Sequence, residues 1–205
     1  MERTIHSLTE EQKQEYKNAV FSMINNAMFG TCLSVPQGID WDFLFSILND
    51  HAILAVVFSV MGNHSIPSDI YEKWKNRMFQ VLANNFRVQY AERALLDDLR
   101  KSSIDVAVIK GSAAAYYYPN PEYRSRGDID IIVPPLQYDN AVEVLIKNDY
   151  KLSEKYHFFK HSNFSKNQIS IELHRYFINN DDADEQSTLP VPINPCNNLI
   201  FDAIP

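Results

Sequence analysis

Cysteine and glycine are both scarce in this chain. There are two cysteines, Cys32 and Cys196, and five glycines in 205 residues. Two cysteines cannot build a disulfide framework, so a small secreted scaffold stapled by bridges is excluded. A long apolar run is also missing. The longest, AILAVVFSVM at 52–61, is about half a membrane span and reads as a buried helix. The N-terminus, MERTIHSLTEEQKQEYKN, is polar and lacks the apolar core of a signal peptide. A reducing, cytoplasmic setting with no membrane role is the expectation. A basic surface is lacking too. The 19 Lys and Arg residues are outnumbered by 26 Asp and Glu, and the net charge is −7. Acidic residues prevail in both halves of the chain, so nucleic-acid binding through a broad basic face is disfavoured.

What is present changes character along the chain. Residues 1–102 read as a helical N-terminal region. Thr9 followed by Glu10 and Glu11 starts an amphipathic stretch with Tyr16, Val20, Met23, Ile24 and Ala27 at helical spacing, and Gly30 ends it. A second helical region runs from Trp41 to Met61. A third follows Pro67-Ser68 towards Arg100, its apolar positions including Ile70, Trp74, Met78, Val81, Leu82, Phe86, Leu95 and Leu99. From residue 103 to 177 the pattern is that of strands and helices in alternation. IDVAVIK (104–110) is a short β-branched strand, GSAAAYYY a glycine turn into helix formers, and DIDIIV (128–133) a second strand. LQYDNAVEVLIKND reads as a surface helix, then YHFFKHS (156–162) and QISIELHRYF (168–177) as two strands joined by the polar turn NFSKN. The fold class expected is α+β, a helical region plus a mixed sheet with flanking helices. Residues 178–205 are acidic and then proline-rich, and read as an irregular tail leading towards a part of the protein that is absent.

The segment RGDIDIIV, 126–133, poses the functional question. Side chains at i and i+2 of a strand share a face. Asp128 and Asp130 therefore project together while Ile129, Ile131 and Val133 project the other way. At a separation of about 5 Å the two charges repel by roughly 3 kcal/mol at an effective dielectric near 20. The Arg-Gly-Asp tripeptide as an adhesive motif needs an exposed extracellular loop, and here the Asp begins a strand. In ISIELHRY, Ser170, Glu172 and His174 share one face by the same parity. If that strand neighbours 128–133, Glu172 joins the aspartates. Three converging carboxylates suit one or two Mg²⁺ ions, which take oxygen ligands and nucleotide phosphates. The third element is Gly111-Ser112, a strand-to-helix turn whose N–H groups and hydroxyl can hold a phosphate.

These residues carry a resemblance. G-S, a helix, D-x-D on a strand and a later strand carboxylate resemble the nucleotidyltransferase superfamily that includes DNA polymerase β and the aminoglycoside nucleotidyltransferases. More narrowly, VIKGSAAAYYYPNPEYRSRGDIDIIV followed by ISIELHRYF is similar to an uncharacterised nucleotidyltransferase family with K-G, Y-P, R-x-x-x-D-I-D and E-L-H elements. WDFLFSILNDHAILAVVFSVM also looks like that family's N-terminal region. The resemblance implies a nucleotidyltransferase fold and Mg²⁺-dependent transfer of a nucleoside monophosphate from a triphosphate, ATP first among them, to a hydroxyl acceptor. It implies Asp128 and Asp130 as metal ligands and Glu172 as a third acid, ligand or general base. Gly111 and Ser112 would bind the triphosphate tail. The chain departs from the pattern in that Gly111 lies 17 residues before Asp128 and in lacking an arginine just after G-S.

Other readings stay open at this level. Lys110 either touches a phosphate or marks a strand's solvent end. Arg124 and Arg126 either neutralise a triphosphate or pair with Glu122 in a solvated loop, Arg124 being the one that matches the family pattern. His157, His161 and His174 are too loose for structural zinc and line a polar acceptor pocket or are ordinary strand histidines. Tyr116–Tyr118 suit helix packing and loop anchoring better than base stacking. A non-catalytic nucleotide-sensing or partner-binding module, or an antitoxin-like homologue, are the rivals to an enzyme.

Overall fold

The computed structural model of the chain describes residues 8–61, 66–153 and 161–176. Helix α1 (Glu10–Phe29) starts where Thr9 caps it: the Thr9 hydroxyl accepts from the Gln12 N–H, and the Gln12 side chain accepts from the Thr9 N–H. It stops at Gly30, whose φ of +67° is the left-handed turn a glycine adopts most cheaply. The 41–61 region is two helices rather than one, α2 (Trp41–Asp50) and α3 (Leu54–Met61). Ala52, with φ of +57°, breaks the ladder between them. Asp40 caps α2 by accepting from the Phe43 N–H at 3.0 Å. Helix α4 (Ser68–Lys101) is the long third helix.

The chain forms two compact units, Met1–Phe86 with Ala115–Ser125, and Arg87–Ala114 with Arg126–Pro205. Their bounds differ from the change in sequence pattern near residue 103, because the C-terminal half of α4 supplies core to the second unit. The first unit is built around Trp74, fully buried, with the rings of Trp41, Phe45 and Phe58 set 5.9, 6.2 and 6.5 Å from it. Phe86, expected among the apolar core positions, is instead exposed.

The second unit holds a five-stranded sheet of order β1-β2-β5-β4-β3, in which β1 is Ala107–Val108, β2 Ile129–Ile132, β3 Lys151–Leu152, β4 His161–Lys166 and β5 Ile169–His174. Strands β2 and β5 run parallel and the other pairs antiparallel. One sheet face is apolar. Ile129, Ile131, Phe164, Ile171 and Leu173 pack there with Val88, Leu95 and Leu99 of α4 and with Tyr138, Ala141 and Leu145 of α6 (Tyr138–Lys147). The fold class is α+β, as expected. No strand precedes β1 among the described residues.

Local corrections follow from the same alternation. The segment expected as the turn NFSKN belongs mostly to β4. His161, Asn163 and Ser165 alternate with the core residues Ser162 and Phe164, so its polar composition is that of a strand with one polar face. The turn is only Asn167-Gln168, both at positive φ, a two-residue hairpin connection. Strand β3 has no counterpart in the sequence reading. Only Ala107–Val108 of 104–110 is paired as strand, and a single turn, α5 (Ser112–Ala115), follows. Tyr116 and Tyr117 lie beyond it and are exposed rather than packed. The expected strand at 156–160, His157 and the tail from 178 lie outside the described residues.

Candidate active site

The polar sheet face is set by the register of β2 and β5. Asp130 stands directly opposite Glu172, and Ile132 opposite His174. Neighbouring residues in a parallel pair share a face, so Asp130 and Glu172 project together, and His174 lies one step along. Asn163 of β4 is in register with Glu172 on its other side, and His161 with His174. Parity thus brings Asp130 and Glu172 together on one face.

Asp130 is the deepest of these groups. All four residues of β2 are buried, and Asp130 is 2% exposed. A carboxylate so placed needs partners. Lys110, just past β1, donates to its Oδ1 at 2.6 Å, with the lysine side chain still 58% exposed. That hydrogen bond, more than the fields of Asp130, Glu172 and Asp128, holds the Lys110 ammonium above its ordinary pKa against the opposing effect of burial. The His174 Nε2 sits 3.4 Å from Asp130 Oδ1 and 3.3 Å from Glu172 Oε2. Burial lowers the His174 pKa, and the two carboxylates counter that only in part, so the ring is neutral at neutral pH.

Carboxylate oxygens of Asp130 and Glu172 and a ring nitrogen of His174 all lie within 4.8 Å of one another. Separations of 3.3 and 3.4 Å are long for charged hydrogen bonds, which cluster at about 2.7–2.9 Å. They match the spacing of neighbouring ligands around one divalent cation with bonds of about 2.0–2.4 Å. The donor set fits a divalent cation. Asp128, in contrast, is not in this close group. It is exposed, and with Gly127, Asn163, Ser170 and Glu172 it lines an open cleft of about 580 Å³. Glu172 belongs to both the close group and the cleft.

Gly111 lies at the junction between β1 and α5 with φ of +49°. A Cβ there would come no nearer than 3.8 Å to the Asp128 carbonyl, so conformation rather than space calls for glycine. Ser112 does begin the helical turn, but its hydroxyl is engaged, donating to Glu92 Oε2 at 2.7 Å. Glu92 is buried on α4. It was missed in the sequence although its spacing marks it: Val88, Glu92, Leu95 and Leu99 form one stripe, and Glu92 is the acid within it. His174 was noted for parity with Glu172 but not as a companion of the carboxylates. Arg124 lies in the first unit, donating to the Ser125 carbonyl at 3.3 Å with its guanidinium 5.9 Å from the Tyr118 ring centroid. Asn85, buried on α4, donates to the carbonyls of Glu122 and Arg124 at 2.6 and 2.9 Å and so fixes that loop.

Cys32 is exposed and makes no disulfide. No helix among the described residues is long and apolar enough to cross a membrane. Residues 37–194 match the model of a family described as uncharacterised nucleotidyltransferase. No curated protein and no solved structure matches the chain.

Proposed function

This chain belongs to the uncharacterised nucleotidyltransferase family, and we propose that it moves a nucleoside monophosphate from a triphosphate, ATP first, to a hydroxyl of a small-molecule or protein acceptor in the cytoplasm. The observation that carries the reading is the register of Asp130 against Glu172 on a polar sheet face, with an open cleft running from Glu172 to Asp128. Asp130 and Glu172 would hold Mg²⁺, with Asp128 facing it from the cleft. A divalent cation held there supplies positive charge that offsets the triphosphate and fixes its orientation.

The remaining work falls to the chain's own groups. The acceptor oxygen forms a bond to the α-phosphorus, the bond from that phosphorus to the bridging oxygen breaks, and pyrophosphate leaves. The proton of the acceptor hydroxyl passes to Glu172, the most exposed carboxylate of the close group. Lys110, with more than half of its side chain in solvent, can pair a phosphate oxygen while Asp130 anchors its position. The Gly111-Ser112 turn presents backbone to the triphosphate tail, and the Ser112 hydroxyl is held in place by Glu92. The sheet-bearing unit serves as the transferase core.

Thermal melts with ATP, GTP, CTP and UTP, each with and without Mg²⁺, test the reading. A triphosphate-specific rise that requires the cation, and that fails in Glu172→Gln, is expected. No rise with any triphosphate overturns it.

A further inference from the structure

We propose that His174 is a nitrogen ligand of the cation site, and that it tilts this site from Mg²⁺ towards Mn²⁺ and Co²⁺. The inference rests on the nucleotidyltransferase reading only in placing a cation on this sheet face. Its own basis is the arrangement of donors. Sequence pattern points to three carboxylates, an all-oxygen set that suits Mg²⁺. The structure groups two carboxylates with an imidazole, and leaves the third carboxylate, Asp128, exposed at the cleft.

The His174 Nε2 faces Asp130 Oδ1 and Glu172 Oε2 nearly equally, at 3.4 and 3.3 Å. A ring that served one carboxylate by hydrogen bonding would lie closer to it than to the other. Equal, long separations instead leave three donor atoms around a common point, with the Lys110 ammonium on the same Asp130 oxygen at 2.6 Å. The ring is held there: His174 ends β5, is 15% exposed in its side chain, and lies beside His161 with ring centroids 5.3 Å apart. A second observation points to the same place. The Oδ1 of Asn163, in register with Glu172, is buried and accepts no hydrogen bond among the described residues. A buried acceptor without a donor, on the strand next to Glu172, suits a cation's water. Imidazole ligands are taken up by first-row transition cations, Co²⁺ more strongly than Mn²⁺, whereas Mg²⁺ holds to oxygen and keeps its water.

Pulsed EPR on the full-length chain, stripped of metal, reloaded with one equivalent of Mn²⁺ and free of nucleotide, tests this directly. The expected spectrum carries the ¹⁴N coupling of a coordinated imidazole. His174→Gln removes that coupling, and His161→Gln keeps it. Competition dialysis should show Co²⁺ and Mn²⁺ bound at least about tenfold more tightly than Mg²⁺, and His174→Asp should cut that ratio by about tenfold or more. Mn²⁺ bound without nitrogen coupling in the wild-type chain overturns the proposal, and so does coupling that survives in His174→Gln, or no Mn²⁺ binding at all. A Mg²⁺-triphosphate melt shift in a chain whose Mn²⁺ shows no nitrogen coupling sinks this inference alone. Nitrogen coupling in a chain with no triphosphate response sinks the transferase reading and leaves the cation site standing.

Discussion

Replacing Asp130 by Asn separates a functional acid from a structural one, because the two roles predict opposite results. The change removes a charge without removing volume, so no cavity forms. Two electrostatic effects then oppose each other. The Asp130 and Glu172 oxygens lie within 4.8 Å, and at an effective dielectric near 20 their repulsion is roughly 3 kcal/mol. Solvent at Glu172, whose side chain is 30% exposed, reduces that figure. Against this relief stands the loss of the ion pair with Lys110 at 2.6 Å. A charge-assisted bond to a lysine that is mostly exposed contributes about 1–2 kcal/mol. The free protein should therefore end within about 1–2 kcal/mol of wild type, which for a chain of this size moves the melting temperature by only a few degrees. Cation binding should change far more. A divalent ion at 100 times its dissociation constant stabilises the wild type by about 2.7 kcal/mol, equivalent to some 5–10 °C, and Asp130→Asn should show none of that rise. Differential scanning calorimetry of both chains, with and without saturating Mn²⁺ or Mg²⁺, reads both quantities. A loss of about 3–5 kcal/mol in the metal-free protein, the mark of a broken buried pair, with an unchanged cation response, would refute the reasoning.

Three further outcomes are expected. Gly111→Ala should cost about 1–2 kcal/mol in urea melts, since the left-handed conformation is the obstacle and the nearest atom to a new Cβ, at 3.8 Å, is not; a neutral result would mean that the turn relaxes. Glu92→Ala should cost about 1–3 kcal/mol by stranding the Ser112 hydroxyl, while Glu92→Gln, which keeps an acceptor, should cost clearly less; equal losses from the two would rule out the hydrogen bond as the cause. Stability should fall as pH rises past 10. Lys110 is raised by its hydrogen bond to Asp130, and Tyr138 and Tyr150 are raised by burial, from ordinary values of 10.5, 10.0 and 10.0. All three bind their protons more tightly when folded, so their contribution is complete below those values and is lost as pH climbs through the folded ones. Urea midpoints between pH 8 and 11.5 should decline in wild type and less steeply in Tyr150→Phe, and a flat wild-type profile would contradict the assignment.

What could be read from the sequence was what depends on period. Parity placed Asp128 with Asp130 and Glu172 with His174, because a strand's two faces are fixed by counting, and the β2–β5 pairing then set Asp130 against Glu172. The end of α1 at Gly30 was legible because a helix stop has its own residue chemistry. The hairpin was misread for an instructive reason: in β4 the outward residues are His161, Asn163 and Ser165, and one of the inward ones is Ser162, which stays in the core by accepting from the Tyr138 hydroxyl at 2.8 Å. Composition made a turn out of a strand whose polar atoms are satisfied by tertiary partners. The break at Ala52 was invisible for the converse reason, since nothing in ILAVVFSVM announces a left-handed residue ahead of it.

The site shows the same division more sharply. Counting residues says which acids share a face, but not which of them is dry. That depends on what lies over each position, and it separates Asp130, buried within β2, from Asp128, exposed one step earlier at the cleft. Burial then decides the chemistry. The dry carboxylate needs partners close at hand, and the fold supplies the Lys110 ammonium from the end of β1 on one side and the His174 ring on the other. Lys110 does not follow from strand parity, because it reaches Asp130 only through the β1–β2 pairing, continued by the Ile109 N–H donating to the Asp130 carbonyl at 3.1 Å. Lys110 therefore answers the question raised by two acids on an apolar strand before any metal is invoked. An ion entering this site would have to share Asp130 with a lysine already bound to it, so cation binding should be coupled to where the Lys110 ammonium goes. On the proposed transferase reading, an ammonium released from that carboxylate would pair with a phosphate oxygen.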